Sequence, residues 1–599
     1  MILQALAALY GELCRQGKVA AEGWSPAKVT HRIDIDEEGR LVGILSLRDR
    51  GTRGKKEVDV PKVVLVPEQV KRSSGIKPNF LCDGPGYFFG IDEAKPKRAA
   101  ACFEAAKQLH HAVLDGCSSP AAAAVLRFFD TWKPEEAADH PVIVRHREEL
   151  QDGGNCLFWV NDADVLADEA VRGAWDAWQE EGGADDSPVG TCLVTGRANQ
   201  KIALLHPPIK GVPGAQSSGA SLVSFNGDAF CSYGHDGEQG KNAPVSKQAA
   251  FAYGTALNFL LADREHTTRM GDTTVVYWSE HAENITQDIF AQLMGDSGKI
   301  SDEALHAVME AMAQGQPADM QGVRIDPEEP FYILGLAPNA ARLSVRFFLK
   351  NAFGQVMRNL AAHQDRMRMD CRPPWEKAII PLWRTLRATA NPNSRDNAAS
   401  PLLSGSLMRA VFSDSPYPEA VYQNILLRIF ADHDAEADGI RGRSEKIGYI
   451  RAALIKAYLL KNRNQRWEGS IRMIVNEECR EISYVLGRLF SVLENLQMQA
   501  NPGINATIKD RYFNSACATP ASVFPVLLKL ANAHLDKVKN DEKISIYFRK
   551  KIGSLMAKIA MPDEGTPLPK RLSLEEQGAF VLGYYQETQD RYAGKKEEH

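Results

Sequence analysis

The chain has 599 residues, 44% of them hydrophobic and 25% charged, with a formal net charge of −5. That length exceeds one ordinary core, so about two to four domains are expected. The composition excludes global disorder and fibrous repeats, and the slight negative charge excludes a small polycationic nucleic-acid module, so any basic surface must be local. The ten cysteines include no CxxC pair, which argues against a zinc ribbon or a disulfide framework and for a reducing compartment.

The first residues, "MILQALAALYGELCRQG", lack a basic segment ahead of their apolar positions, and Ile2, Leu6, Leu9 and Leu13 recur at helical spacing, so a helix is expected here and not a signal peptide. No later stretch approaches the roughly eighteen uninterrupted apolar residues of a membrane span. From 29 to 47, "VTHRIDIDEEGRLVGILSL" alternates apolar and polar residues around an Asp-Glu-Glu-Gly turn, the pattern of a β-hairpin. The strand "VDVPKVVLVP" then leads into "VKRSSGIKPNFLCDG", residues 70–84. Pro67 and Pro78 bracket this run and disfavour helix before them, so 71–79 is expected to be a loop. Between about 130 and 186 acidic residues dominate, including Asp162, Asp164, Asp168, Asp176, Glu180, Asp185 and Asp186. They read as a solvated face or as a surface that avoids nucleic acid.

A second β-rich patch is expected from "NCLFWV" through "GTCLVTG", "KIALLHPPIKG" and "ASLVSFN" to "TTVVYWSE", with helices at 166–181 and 247–262. After about residue 340 strand signals fade and helical periodicity takes over. Ile482, Val485, Leu486, Leu489, Leu493 and Leu496 form one stripe, and Ile544, Tyr547, Phe548, Ile552, Leu555, Met556 and Ile559 another. The fold class is therefore an α+β N-terminal region of mixed sheets and helices, followed by a mainly α-helical region ending in a C-terminal helical bundle. We divide it into 1–265, 266–470 and 471–599. Periodicity leaves open whether the bundle folds alone or belongs to a larger helical core.

The sequence carries none of the short catalytic signatures. "GHDGEQGKN" departs from a Walker A loop by one residue of spacing and by Asn242 in place of Ser or Thr; HExxH, GxGxxG after a strand and GxSxG are absent. His110 and His111 are adjacent, about 100° apart on a helix, awkward for a shared metal. We therefore expect no catalytic residues, no metal site and no cofactor. Polar loops with isolated cations are the other candidate chemistry, since amides, hydroxyls and side-chain amides hold phosphates and read base edges. Three segments fit: Lys71, Arg72, Ser73, Ser74, Lys77 and Asn79; Lys210, Gln216, Ser217 and Ser218, followed by Asn226; and Lys241 with Asn242. The same composition also describes ordinary surface turns. The run "RGRSEKIGYIRAALIKAYLLKNRNQRW" reads as a basic helix with Ile447, Ile450, Leu454 and Tyr458 inward. The near-absence of acidic neighbours along it suits a polyanion, although its cations form no single face and a solvated helix fits as well.

Four long stretches, "MILQALAALYGELCRQGKVAAEGW", "LVPEQVKRSSGIKPNFLCDG", "CLVTGRANQKIALLHPPIKGVPGAQSSGASLVSFN" and "GKNAPVSKQAAFAYGTALNFLL", resemble the family of large subunits of subtype I-C CRISPR surveillance complexes (Cascade; Cas-eight type, Csd family). The resemblance covers essentially the whole chain. It implies a prokaryotic, cytoplasmic, non-enzymatic subunit that reads the protospacer-adjacent motif (PAM) in double-stranded DNA and promotes R-loop formation, while guide pairing supplies sequence specificity. The implied partners are crRNA, target double-stranded DNA and its displaced strand, the Cascade backbone subunits, the crRNA-processing subunit, small subunits and a recruited helicase-nuclease, with no membrane. A small subunit made by internal translation would correspond to the C-terminal bundle, with Met473 or Met498 as possible starts. On this resemblance Ser73, Ser74 and Asn79 would touch base edges, and Lys71, Arg72 and Lys77 phosphates. Lys210, Gln216, Ser217, Ser218, Asn226, Lys241 and Asn242 would lie beside the opened strands or the crRNA handle, with Gln216 as a candidate wedge. Arg451, Lys456, Arg463 and Arg466 would contact a strand without sequence preference. The alternatives are an assembly scaffold without DNA readout and a metal-dependent nuclease.

Overall fold

The computed structural model describes residues 2–53, 56–70, 75–92, 95–180, 187–225, 227–232, 234–235, 237–281, 284–295, 298–392, 399–432, 446–559 and 568–593. The chain forms two compact units, Met1–Pro207 with Ser224–Ala256, and Pro208–Val223 with Leu257–His599.

In the first unit α1 (Ile2–Arg15) buries Leu6, Leu9 and Leu13, as its spacing predicts. A seven-stranded sheet follows, built from β1 (Trp24–Ile35), β2 (Leu41–Ser46), β3 (Arg48–Arg53), β4 (Lys56–Pro67), β5 (Cys82–Asp83), β6 (Asn155–Val160) and β7 (Ala163–Asp164). Its main order is β3-β4-β1-β6-β5; β1 runs antiparallel to β4 and parallel to β6. The β1–β2 hairpin closes where expected, at Gly39. That residue has φ +77°, and a Cβ there would overlap the Phe128 backbone, so only glycine serves. Val29, Ile33 and Ile35 point into one core with α2 (Pro96–Leu114), α3 (Pro120–Thr131) and α4 (Glu169–Glu180). Proline begins α2 and α3, where its missing N–H costs nothing, and Ser119 Oγ caps α3 by accepting from Ala121 N (3.1 Å) and Ala122 N (3.3 Å). The long helix α5 (Lys247–Ala262) lies within the predicted span.

The segments "GTCLVTG", "KIALLHPPIKG" and "ASLVSFN" differ from the strands expected of them. They are irregular chain, with short pairing at Val189–Gly190 and Gln200–Lys201 and isolated bridges Ile202–Ser246, Ile209–Ala220 and Ser221–Arg342. Their prolines and glycines interrupt the ladder, and their buried apolar residues Cys192, Ile202, Ile209 and Val212 serve as anchors.

The second unit holds a four-stranded antiparallel sheet, β8 (Thr267–Met270), β9 (Thr273–Ser279), β10 (Pro330–Asn339) and β11 (Arg342–Ala352), in chain order. The last strand extends past the point where strand signals fade in the sequence. The helices after it include α6 (Phe353–Met367), α7 (Pro401–Ser413), α8 (Glu419–Ala431), α9 (Tyr449–Asn462), α10 (Ile482–Ala500), α11 (Glu542–Ile559) and α12 (Leu574–Ala593). Their core is continuous from Met270 to Tyr585, crossing residue 470 without a break. Gly487 on α10 and Gly583 on α12 allow backbone contact, because a Cβ on either would overlap a carbonyl of the facing helix. Tyr422 on α8 donates to Leu574 O and Glu575 O, both at 3.1 Å. The predicted stripe on α10 is buried from Val485 onward with Ile482 partly buried, whereas on α11 Phe548, Leu555 and Ile559 are buried and Tyr547 is half exposed.

Candidate nucleic-acid interface

The loop between β4 and β5 is a displayed segment with a locked base. Asn79, 5% exposed, joins its two ends: Oδ1 accepts from Val70 N (2.8 Å) and Nδ2 donates to Gln69 Oε1 (2.9 Å). Gln69 in turn donates to Cys82 O (3.1 Å), and Asn79 N donates to Asp83 Oδ2 (2.8 Å). Phe80, buried beside it, stacks on Trp175 at 5.0 Å. Leu81 adopts φ +53°, a costly conformation for a branched residue, and its N–H donates to His110 Nε2 at 3.0 Å. Because Nε2 accepts, the proton sits on Nδ1, which donates to Ala106 O at 2.7 Å. Complete burial pushes the His110 imidazole down to about 4, so it is neutral and structural.

Asn79 therefore does not present its amide outward: burial and saturation by the loop's own groups correct the expectation that it touches a base edge. Lys71, Arg72, Ser73 and Ser74 lie outside the described residues. Lys77 is exposed, and its N–H donates to Tyr87 OH (3.3 Å). Arg98, exposed in the first turn of α2, donates to Gly75 O (3.1 Å). With Lys95 and Lys97 it forms a cationic rim that the sequence reading missed, although "KPKR" directly before a helix was its signal. Cations at a helix N-terminus oppose the macrodipole, so this placement does not serve α2 itself. A cavity of about 290 Å³ opens beside the loop, lined by Asp83, Tyr87, Asp92, Arg98 and Asn155.

The segment 208–221 belongs to the second unit. Ile209 and Ala220 exchange backbone hydrogen bonds (2.9 and 2.8 Å), closing a loop whose tip turns from Gln216 to Gly219, with Gly219 N donating to Gln216 O at 2.9 Å. Asn258 on α5 braces one side, accepting from Lys210 N (2.8 Å) and donating to Pro208 O (3.1 Å). Ser221 pairs with the β10–β11 turn through Ala341 and Leu343. Lys210, Gln216, Ser217 and Ser218 are all exposed on this braced scaffold. Asn226 lies outside the described residues.

Lys241 and Asn242 occupy a single 3₁₀ turn in the first unit. Asn242 is a staple, accepting from Ser232 N (2.7 Å) and donating to His235 O (2.9 Å) and Gln239 O (3.0 Å). Lys241 pairs with Glu238 at 2.8 Å; this bond and the one from His235 hold the Glu238 carboxyl below its ordinary range. Asn242 thus differs from its expected role, since its amide is consumed by the turn.

The basic helix differs most. On α9 Lys456 is 2% exposed, and its Nζ donates to Arg366 O at 2.8 Å; burial pushes its ammonium down to about 8. Arg451 pairs with Asp432 (2.7 Å) and donates to Ala388 O and Lys446 O. Arg463 meets Glu575 (3.1 Å) and Glu419 (3.5 Å), and Arg466 meets Glu576 (3.0 Å), Glu575 and Glu481 (3.4 Å each). The expected strand-contacting basic segment is therefore corrected. Acidic residues absent from the local sequence arrive from α8, from α12 and from the chain just before α10, and neutralise it.

Among the described residues, no group of three or more His, Cys, Asp and Glu is placed to hold a metal ion, and no helix is long and apolar enough to cross a membrane. An α+β unit with a clamped polar loop, joined to a mainly helical unit with its own braced loop, defines a two-unit protein. The family described as CRISPR-associated protein (Cas_Csd1) matches residues 6–592, and the chain belongs to that family. No curated protein matches the chain.

Proposed function

We propose that this chain is the large subunit of a subtype I-C CRISPR surveillance complex, a subunit without catalysis of its own that reads the PAM in target duplex DNA and promotes R-loop formation. It would work with crRNA, other Cas subunits and a recruited helicase-nuclease that cuts. The observation that carries this reading is the family match across nearly the whole chain; the loop after β4 supplies its physical basis. A loop fixed at its base by Gln69, Asn79 and the stacked Phe80 can insert into a groove with little loss of conformational entropy, while Lys77 and the α2 rim hold phosphates. Base reading falls to the uncharged residues Ser73 and Ser74, and Asn79 keeps the loop in register. The loop 208–221, with Gln216 at its turn, suits an opened strand or the crRNA handle.

The test is a guide-loaded complex carrying Lys71→Ala, Arg72→Ala and Lys77→Ala together, titrated with matched duplexes that bear or lack the motif. Three lost phosphate contacts predict an affinity drop of about tenfold or more, with a shallower salt dependence. Unchanged affinity and motif preference would overturn the assignment, as would magnesium-dependent DNA cutting by the isolated chain.

A further inference from the structure

The second unit has a cleft between β11 and α7 that none of the readings above uses. It encloses about 440 Å³, within the range of ligand pockets, and Arg346, Arg409, Ser344, Ser406 and Ser415 supply its polar wall. Gly405 lets the Arg346 side chain lie flat on α7, with its Cβ 3.4 Å from where a Cβ on Gly405 would sit. Arg346 Nη2 then reaches Asp272 Oδ2 at 3.1 Å. Its Nε is buried and finds no hydrogen-bond acceptor among the described residues. Buried donors are costly to leave unmade. Arg409 is exposed, donates to Arg346 O at 2.8 Å, and meets no carboxylate among the described residues. Two guanidiniums thus face one carboxylate, which leaves the cleft net positive, and hydroxyls stand beside them. At its lip Leu402 is 73% exposed and Val345 41%.

We infer that this cleft is a binding site for the phosphate groups of a single-stranded polynucleotide. Paired guanidiniums, that of Arg409 exposed, match the oxygens of a phosphate. The apolar lip favours a strand over free phosphate, because a sugar or base can cover Leu402 and Val345 whereas an inorganic ion cannot. The inference rests on the reading of the chain as a nucleic-acid-binding protein, and it places a second contact region far in sequence from the loop after β4.

The test uses the full-length chain and a fluorescently labelled mixed-sequence single-stranded 20-mer, titrated by anisotropy at about 50 and 200 mM salt. Arg409→Gln is expected to weaken binding about three- to tenfold and to lower the salt slope by about one. Ser406→Asp, which adds a carboxylate to the wall, is expected to weaken it further, and Arg15→Gln on α1 is expected to leave it unchanged. Thermal melts matching the parent confirm that each variant is folded. If Arg409→Gln and Ser406→Asp bind the strand as tightly as the parent, the cleft assignment fails while the loop reading stands. If the parent itself shows no salt-dependent strand binding, the cleft assignment falls and the loop reading is left to the duplex titration of the guide-loaded complex. If millimolar inorganic phosphate at constant ionic strength raises the melting temperature of the parent and not of Arg409→Gln, while strand affinity is equal in both, the site serves a free anion and the strand assignment is overturned.

Discussion

The loop after β4 and helix α9 look alike in sequence, each a run of cations with few acids nearby, yet the fold uses them in opposite ways. In the loop a neutral clamp is buried and the described cations, Lys77 and the α2 rim, remain outside. In α9 and the residues directly after it the cations are drawn in: Lys456 is buried, and Arg451, Arg463 and Arg466 are matched with carboxylates. Local charge therefore does not define a polyanion surface. What decides is whether the fold delivers counter-charges from elsewhere, and for α9 it does so over sequence separations of up to about one hundred residues.

Acidification probes both regions at once and should have the largest effect. His110 under the loop is pushed down to about 4, and His363, on α6 and bonded to Tyr417 at 2.7 Å, to about 3, burial being the main cause in each. The unfolded chain takes up these protons below about pH 6.5 and the folded chain does not. Stability is therefore full above pH 6.5 and falls as pH drops toward 4, by up to about 3 kcal/mol for each histidine. Urea unfolding as a function of pH checks this. Arg451→Ala leaves the nearly buried Asp432 without its best partner and should cost about 3 kcal/mol in the same assay, with no change in the salt dependence of DNA binding. Asn79→Ala removes the clamp of the other region, leaves Val70 N and Gln69 Oε1 without their partner, and should cost about 2 kcal/mol. Unlike Arg451→Ala, it should also weaken target binding by the guide-loaded complex. Lys456→Met exchanges a desolvated ammonium for an apolar chain of similar length and should leave stability unchanged or raise it by about 1 kcal/mol. A large loss there would mean that this lysine is needed as a charge.

Much of the architecture was legible because it depends on short-range pattern. The Asp-Glu-Glu-Gly turn, the leucines of α1 and the stripes of α10 and α11 state their geometry within a few residues. The β11 strand escaped although Arg342, Ser344 and Arg346 alternate with Leu343, Val345 and Phe347, because the apolar run Phe347-Phe348-Leu349 breaks the period. Segment 187–225 was misread as strands because its apolar residues are anchors for irregular chain. In the candidate site, the loop positions and the exposure of Lys77, Lys210, Gln216, Ser217 and Ser218 could be read from turn chemistry. The inward turn of Asn79 and Asn242 could not, since a short amide suits a base edge and a backbone staple equally well. Nor could the pairing of Arg463 and Arg466 with Glu575 and Glu576 on α12.

The sharpest measurement sets the two regions against each other in one guide-loaded complex. One version carries Lys71→Ala, Arg72→Ala and Lys77→Ala, the other Arg463→Gln and Arg466→Gln, and each is titrated with matched duplex across salt. The account predicts a steep loss of affinity and a shallower salt slope for the loop version, and parental affinity and slope for the helix version. The reverse pattern, with the helix version impaired and the loop version intact, would contradict it.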